Sequence, residues 1–250
     1  MSVTFTLLGP VRAWRDGAEL PLGSPQQRAA LSVLLLREGL LTTVDELVDA
    51  LWPTDPPASA VATVRTYLSR LRGLLRPGDA VRIDWIGGGY VLTAPPGSLD
   101  VQVFHRHTAR AAEALRAGDR RTAAAALRAA LALHRGAPLA GVGGDYVTGQ
   151  RARLTELRRA AAVDLATVTI ELGGHAEAIA DLRAMVAEEP LREHCHALLM
   201  TALHRSGRTA DALSHYREVH RVLAAELGVQ PGPALRALHR RILTGDPALV

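Results

Sequence analysis

The chain has 250 residues, enough for one or two domains that each bury a full core, and two is the starting expectation. Hydrophobic residues make up 48% of the chain and charged residues 22%, a balance typical of a folded globular protein. All 29 basic residues are arginine, which excludes chemistry that depends on lysine, such as a Schiff base or a Walker-A phosphate site. A single cysteine, no basic secretory segment and no apolar run of about 18 residues together predict a cytoplasmic protein without membrane contact.

The net charge of +4 and the isoelectric point near 9.9 are typical of proteins that bind nucleic acids. The distribution of charge weakens this inference for the first part of the chain. Residues 1–97 contain nine arginines and nine carboxylates, so this part is neutral overall. A DNA-binding site must therefore depend on a local cluster of arginines.

Three short strands and two helices are predicted first. Alternating apolar residues predict strands over residues 3–8, 11–15 and 19–22, with a tight turn at 16–17. A capped helix that runs to about residue 37 is predicted next. Ser24 stands at the cap, Pro25 at the first helical position and Gln27 three residues after the serine, as in a capping box. Thr43 and Glu46 repeat the capping pattern and open a second helix that ends before Trp52-Pro53.

Residues 55–76 are interpreted as a third helix with two distinct faces, capped by Asp55 with Pro56 at its first position. Its apolar stripe, repeating every three or four residues, consists of Val61, Val64, Leu68, Leu71 and Leu75. The opposite face is polar, has four arginines and lacks acidic residues, and it holds Thr63, Arg65, Thr66, Ser69, Arg70, Arg72 and Arg76. That face suits a polyanion, although a solvated surface on an ordinary amphipathic helix would have the same pattern.

A β-hairpin is predicted after the third helix, because strand-like residues 81–86 and 90–92 flank Gly87-Gly88-Gly89. A phosphate-binding loop is the alternative for these glycines, but the GxGxxG pattern is incomplete and no helix follows. Strands, three helices and a closing hairpin are the element order of a winged helix, in which the hairpin is the wing. The N-terminal strands make the pattern similar to the OmpR-type subclass.

A linker at Pro95-Pro96-Gly97-Ser98 predicts a domain boundary, with a winged-helix DNA-binding domain over residues 1–97 and a second domain over 98–250. The second part is almost wholly helical, and three segments match one another at offsets of 55 and 34 residues. The matching positions are Gly118, Ala123, Leu127 and Arg128, then Gly173, Ala178, Leu182 and Arg183, then Gly207, Ala212, Tyr216 and Arg217. Thirty-four residues is the tetratricopeptide period, and an insertion around residues 137–150 accounts for the longer offset. The predicted fold class is therefore mainly α with a small β component.

No catalytic pattern is present in the sequence. His194-Cys195-His196 could attract a metal ion, but neighbouring positions on a helix point in different directions and do not form a ligand set. The sequence accordingly predicts no enzyme, no cofactor and no metal site.

Several ordered motifs together identify a family resemblance. They are residues 24–29 (SPQQRA), 45–52 (DELVDALW), 56–57 with 66–72 (PP, TYLSRLR), 89–92 (GYVL), 188–193 (EEPLRE), 203–208 (LHRSGR) and 226–235 (ELGVQPGPAL). The chain resembles the SARP family, the Streptomyces antibiotic regulatory proteins, over nearly its whole length. The second half looks like the family's bacterial transcriptional activation domain.

The resemblance implies an activator that binds direct repeats in double-stranded DNA upstream of secondary-metabolite biosynthesis genes and recruits RNA polymerase holoenzyme. Two copies are expected on the DNA, as a homodimer or in tandem. The expected DNA contacts are Thr63, Arg65, Thr66, Ser69, Arg70, Arg72 and Arg76 on the third helix, with Arg82 and Gly88 in the hairpin. Polymerase contacts are expected from the helical domain and from Trp52, Thr54 and Asp55 in the loop before the third helix. The alternative is a helical-repeat scaffold whose winged helix serves protein contacts.

Overall fold

The computed structural model describes residues 2–75 and 78–249 and divides the chain into two compact units. The first unit comprises Met1–Arg110 and Arg128–Ala161, and the second comprises Ala111–Leu127 and Ala162–Val250. The chain is mainly helical with a small β component, which confirms the predicted fold class. The predicted domain boundary after residue 97 remains a prediction. Within the described residues, no helix combines the length and the apolar character needed to cross a bilayer.

The chain begins with a three-stranded antiparallel sheet of β1 (Val3–Thr6), β2 (Arg12–Arg15) and β3 (Ala18–Glu19), in that order. The turn between β2 and β3 places Asp16 and Gly17 at φ values of 47° and 88°, as a tight hairpin turn requires. Alternate residues of β1 are buried, which follows from the two-residue period of a strand. The strands are shorter than predicted, but all three are present.

Two capped helices follow, α1 (Pro25–Leu36) and α2 (Val44–Leu51), as predicted. The Ser24 hydroxyl accepts a hydrogen bond from the Gln27 amide at 3.2 Å. At α2 the capping box is complete, because Thr43 and Glu46 each accept a hydrogen bond from the other's amide. A short strand not predicted from the sequence, β4 (Thr42–Thr43), precedes α2 directly.

The third helix, α3 (Ala60–Leu74), starts later than predicted. Asp55 does not cap it and Pro56 is not its first helical residue; Ser59 holds the N-cap position without a side-chain bond to the helix. Two prolines in succession explain the difference, since a residue that precedes a proline disfavours helical backbone. The buried stripe is correspondingly shifted: Ala60, Val64, Leu68 and Leu71 are buried, whereas Val61 is 40% exposed.

A second sheet of β4, β5 (Arg82–Ile86) and β6 (Gly89–Thr93), in the order β4-β6-β5, packs against the first three helices. Strands β5 and β6 form the predicted hairpin, and its two-residue turn is Gly87-Gly88. Gly89 belongs to β6, where a Cβ atom would lie 2.7 Å from the carbonyl oxygen of Thr42. Glycine at this position therefore allows β4 to pair with β6.

Residues beyond β6 also belong to the first unit. The amide of Phe5 donates to the carbonyl oxygen of Ser98 at 2.7 Å, so this end of the predicted linker is buried and held against β1. The Asp100 carboxylate accepts hydrogen bonds from the amides of Leu7 and Leu8, each at 2.9 Å. Helix α4 (Asp100–Arg116) starts there, followed by α5 (Arg120–Leu131) and the long α6 (Asp145–Glu171).

The second unit contains α7 (His175–Glu188), α8 (Glu193–Arg205), α9 (Thr209–Leu227) and α10 (Pro233–Leu243), with a short 3-10 helix at Pro247–Leu249. Its core is formed around Leu182, Met200 and Leu203.

The positions that matched one another in sequence also match in structure. The three glycines each follow a helix with a positive φ, at 76° for Gly118, 82° for Gly173 and 80° for Gly207. The three alanines Ala123, Ala178 and Ala212 are at most 1% exposed. A glycine turn and a small buried residue in the next helix allow two helices to pack closely. The connection between α5 and α6 spans residues 132–144 and overlaps residues 137–150, where the sequence predicts an insertion.

Candidate nucleic-acid interface

Helix α3 is held by contacts on both sides. Val64, Leu68 and Leu71 are at most 2% exposed and belong to the face that packs on α1 and α2. The Tyr67 hydroxyl donates to Gln26 at 2.8 Å, which ties α3 to the first turn of α1. Because these contacts fix the orientation of α3, its opposite face lies towards solvent.

The end of α3 is fixed by an ion pair that the sequence did not predict. The Arg15 guanidinium donates to Asp79 at 2.7 Å and to the carbonyl oxygen of Leu74, in the last turn of α3, at 2.5 Å. The pair is buried, with the side chains of Arg15 and Asp79 only 10% and 0% exposed. Moving the helix end away would break this buried pair and leave an uncompensated buried charge, which is strongly unfavourable. The pair therefore fixes the position of the helix end. The two residues are 64 positions apart and no local pattern relates them.

The middle of the exposed arc of α3 consists of small residues. A helix turns about 100° per residue, so the residues opposite the buried stripe follow from the numbering. They are Ala62, Thr66, Ser69 and Gly73, all exposed. The Thr66 hydroxyl donates to the carbonyl oxygen of Ala62 at 2.9 Å and keeps its lone pairs for an external donor. Small side chains in this position allow the helix backbone to approach a groove closely.

Arginines flank these small residues on both edges of the arc. By the same geometry Arg65 and Arg72 lie at one edge, and Arg70 lies at the other beside the half-buried Thr63. All three arginines are exposed, and among the described residues none has a hydrogen-bond or ion-pair partner. Arg76, predicted to belong to the same set, lies outside the described residues. Unpaired guanidinium groups on both edges of an arc of small side chains are suited to contact the phosphates on the two sides of a DNA groove.

Other arginines of the first hundred residues are engaged within the protein. The contacts are Arg12 with Glu19 at 3.6 Å, Arg15 with Asp79 at 2.7 Å, Arg28 with the Gly141 carbonyl at 3.2 Å, Arg37 with Glu46 at 2.8 Å and Arg82 with Asp84 at 3.5 Å. The Arg15 pair is buried, whereas the pairs of Arg12 and Arg82 are exposed and leave both guanidinium groups accessible to a ligand. Arg65, Arg70 and Arg72 on α3 differ from all of these because no described residue pairs with them.

The hairpin places its predicted DNA-binding residues far apart. Arg82 is the first residue of β5, at the opposite end from the turn. Gly88 is in the turn with φ at 95°, and no other atom lies within 4 Å of the point that a Cβ would occupy. The turn itself is flanked by exposed apolar side chains, Trp85 at 48% and Ile86 at 53%. Sequence reasoning did not single out this apolar tip, although its two residues directly precede the glycines.

The loop predicted to contact polymerase connects α2 to α3. Trp52 caps α2 through its amide and is half-buried, while Thr54 and Asp55 are exposed. The connection extends through Ser59, longer than predicted, because α3 starts at Ala60. The loop therefore offers polar side chains next to the start of α3.

The histidine and cysteine cluster of α8 is engaged within the protein. Cys195 and His196 are buried, and the His196 ring is hydrogen bonded to His215 at 2.9 Å and to the carbonyl oxygen of Pro190 at 2.9 Å. Within the described part of the chain, no group of three histidine, cysteine or acidic residues is arranged to hold a metal ion.

The protein is mainly helical, and its first three helices and the following hairpin have the element order of a winged helix. The third of these helices exposes several arginines, and further helices follow the hairpin. Residues 99–243 match the family model described as Bacterial transcriptional activator domain. The chain belongs to the SARP family of transcriptional regulators, which confirms the resemblance noted from its motifs.

Individual relatives support this membership. The chain is 49% identical over 248 residues to regulatory protein AfsR of Streptomyces coelicolor, covering 99% of this chain and 25% of AfsR. It therefore spans a quarter of the length of that relative. It is 35% identical over 256 residues to regulatory protein DnrI of Streptomyces peucetius, covering 98% of this chain and 93% of DnrI. A solved structure of Mycobacterium tuberculosis EmbR, in complex with a low-affinity phosphopeptide, superposes with a TM-score of 0.93 at 36% identity, covering 98% of this chain and 66% of EmbR.

Proposed function

We propose that the chain is a sequence-specific DNA-binding transcriptional activator whose winged helix inserts α3 into the major groove. The observation that carries this proposal is the exposed arc of α3, in which small residues are flanked by arginines without partners inside the protein. Arg65, Arg70 and Arg72 would contact phosphates or guanine edges. Thr63, Thr66 and Ser69 would act as short-range donors and acceptors, with Arg76, Arg82 and Gly88 at the periphery.

The proposed targets are direct repeats upstream of secondary-metabolite biosynthesis genes, where the protein would recruit RNA polymerase. The names of AfsR and DnrI identify those relatives as regulatory proteins, which supports a regulatory role here. One recognition helix reads few base pairs, so two copies, as a homodimer or in tandem, would supply the discrimination that a genome requires. The helical part, proposed to be a tetratricopeptide-like array over residues 98–250, would pair copies or contact polymerase.

Polymerase recruitment is further assigned to the loop with Trp52, Thr54 and Asp55. Its exposed threonine and aspartate stand beside α3 and would face a protein bound next to the same DNA. The apolar wing tip, with Trp85 and Ile86 exposed, also favours a protein contact for the hairpin. A scaffold function without DNA is the competing proposal, and specific duplex binding separates the two.

The test is operator geometry. Sites are first selected by the full chain from a random-sequence duplex pool and then footprinted. Two modules that use the same DNA face require a direct repeat spaced by roughly one helical turn, about 10–11 base pairs. Insertion of about five base pairs turns the second site to the opposite face and should abolish cooperative binding, whereas a whole-turn insertion should restore part of it. An inverted repeat, or binding indifferent to the half-turn insertion, would contradict the tandem arrangement, and no selected sequence at all would favour the scaffold.

A further inference from the structure

The positive charge of the first compact unit does not come from the winged helix. Residues 1–97 contain equal numbers of arginines and carboxylates, whereas the remaining segments of this unit, 98–110 and 128–161, contain eight arginines and three carboxylates. The arginines are at positions 106, 110, 128, 135, 151, 153, 158 and 159, and the carboxylates are Asp100, Asp145 and Glu156. Asp100 is buried, so it offers little compensation at the surface.

Half of these arginines are engaged within the protein. Arg151 donates to the carbonyl oxygens of Pro138, Leu139 and Val142, at 2.9 to 3.0 Å. Arg159 pairs with Glu156 at 3.6 Å. Arg128 also has a partner, and Arg135 lies close enough to Asp100 to influence its ionisation.

Four arginines remain exposed, and no described residue pairs with them: Arg106 and Arg110 on α4, and Arg153 and Arg158 on α6. We call this set the basic helical surface, because the charge of Arg153 on α6 acts on His105, the residue next to Arg106 on α4, so the two helices lie close together there. Arg106 and Arg110 are one helical turn apart and share a face of α4.

The neighbouring histidines show that these cations are not locally compensated. Burial, followed by the charge of Arg153, lowers the pKa of His105. Burial, followed by the charge of Arg158, lowers the pKa of His134 to about 4. No carboxylate contributes to either pKa shift, so both rings lie in a positive local field.

We propose that the basic helical surface binds the phosphate backbone of DNA outside the base pairs that α3 reads, so that helices of the activator domain take part in DNA binding. This inference rests on the proposed function of α3. The cations belong to the same compact unit as α3. They would add affinity without base preference, since phosphate contacts carry no direct sequence information.

The lack of large exposed apolar side chains near these arginines favours DNA over an acidic protein as the partner. Protein interfaces are anchored by buried apolar and aromatic side chains. Among the described residues, none of the large exposed hydrophobic side chains lies in segments 98–110 or 128–161. A surface with unpaired arginines and no apolar anchor matches a polyanion held by charge.

The test compares three double variants of the full chain that each remove two positive charges. Arg106→Gln with Arg110→Gln changes α4, and Arg153→Gln with Arg158→Gln changes α6. The matched control is Arg217→Gln with Arg221→Gln, two exposed arginines of α9 in the second unit. Affinity is measured against salt concentration, with the selected operator and with a mixed-sequence duplex of about 40 base pairs as probes.

Removal of one phosphate-binding arginine should reduce the slope of log K against log salt by about 0.9. The slope of a double variant should therefore fall by about 1.8, so a fourfold rise in salt weakens its binding about tenfold less than it weakens wild-type binding. The preference for operator over mixed sequence should stay as in wild type, and the α9 control should keep the wild-type slope.

Unchanged slopes in both the α4 and the α6 variants would overturn the proposal while leaving α3 as the reader. Unchanged DNA binding with reduced transcription in vitro would also overturn it, in favour of an acidic protein partner. If wild type showed no preference for any duplex, the proposed function itself would have failed. A wild-type operator preference that is lost on substitution of α3 would support the proposed function, whatever the α4 and α6 variants show.

Discussion

The two compact units use arginine differently. In the second unit, twelve arginines are set against thirteen carboxylates, and several form exposed pairs such as Arg208 with Asp211 and Arg241 with Asp246, both at 2.7 Å. Exposed pairs of this kind contribute little to stability. In the described part of the first unit, exposed arginines without a partner lie on α3 (Arg65, Arg70 and Arg72), α4 (Arg106 and Arg110) and α6 (Arg153 and Arg158), while others such as Arg15 and Arg151 stabilise the fold. Total charge therefore says less about function than the pairing of each guanidinium group.

The largest effect is expected from the arginines of α3. Replacing Arg65, Arg70 and Arg72 together by alanine should weaken operator binding by a factor of about 100 or more, because each bidentate base contact is worth about 1–3 kcal/mol and each phosphate contact adds to this. The variant should fold normally, since these side chains lie off the buried stripe. Fluorescence anisotropy with the selected operator measures the loss.

Replacing Arg217, Arg221 and Arg236 together by alanine is the matched control, because it removes three exposed arginines from the unit with balanced charge. If the triple variant of α3 bound the operator as tightly as wild type, α3 would not be the reading helix, and the contrast between the two units would lose its functional meaning.

A smaller effect concerns the carboxylate that ties α4 to the N-terminal sheet. Asp100→Ala removes the acceptor for the buried amides of Leu7 and Leu8 and should lower the free energy of unfolding of the first unit by about 2–4 kcal/mol. Urea denaturation followed by tryptophan fluorescence reports on this unit alone, because Trp14, Trp52 and Trp85 all belong to it.

Asp145→Ala, at the exposed start of α6, serves as the control and should change the midpoint little. An equal midpoint for both variants would show that residues 1–97 fold independently of α4, as the predicted domain boundary at residue 97 implies.

The smallest effect is a pH dependence from His134. Its ring packs edge-on against Phe104 at 5.3 Å and both ring nitrogens are buried without hydrogen-bond partners, so burial lowers the pKa from 6.5 to about 4. The folded state therefore prefers the neutral ring. Its contribution is complete above pH 6.5 and is lost as the pH falls from 6.5 towards 4. Because the ring is only about half-buried, the loss should be about 1–2 kcal/mol after allowance for solvent screening.

His134→Gln cannot take up this proton, so its unfolding free energy should fall less than that of wild type over the same pH window. Urea denaturation at several pH values measures the difference, with pH 8 as the common reference at which the wild-type ring is neutral. Parallel pH profiles for the two proteins would show that the ring is solvated in solution.

Much of the winged-helix order could be predicted because its signals are local. The capping residues of α1 and α2, the glycine turn of the hairpin and the alternation of β1 each act over a few residues, and the structure contains all of them. The start of α3 was predicted a full turn too early. The Asp55-Pro56 pattern indicated a cap, but Pro57 makes the preceding residue extended, and the competing local signals could not be ranked without the packing of Ala60.

The candidate site was predictable in its residues but not in its geometry. The sequence identified the polar face of α3, whereas the apolar tip formed by Trp85 and Ile86 and the remoteness of Arg82 from the turn became clear only from the register of β5 and β6. The matching glycines at positions 118, 173 and 207 were visible in sequence, because a helical turn with positive φ has a strong requirement for glycine.

By itself the amino-acid sequence determined most of the secondary-structure elements of the first hundred residues, the family and the set of arginines that could meet DNA, since periodicity, caps and motifs are properties of neighbouring residues. Only the tertiary structure decided which arginines remain available. Arg15 pairs with Asp79, 64 positions away, and Asp100 accepts a hydrogen bond from the amide of Leu7, 93 positions away. Arg151 donates hydrogen bonds to three carbonyl groups of a loop. Whether a guanidinium group is paired depends on which distant segment folds against it, and that is a consequence of packing the whole core.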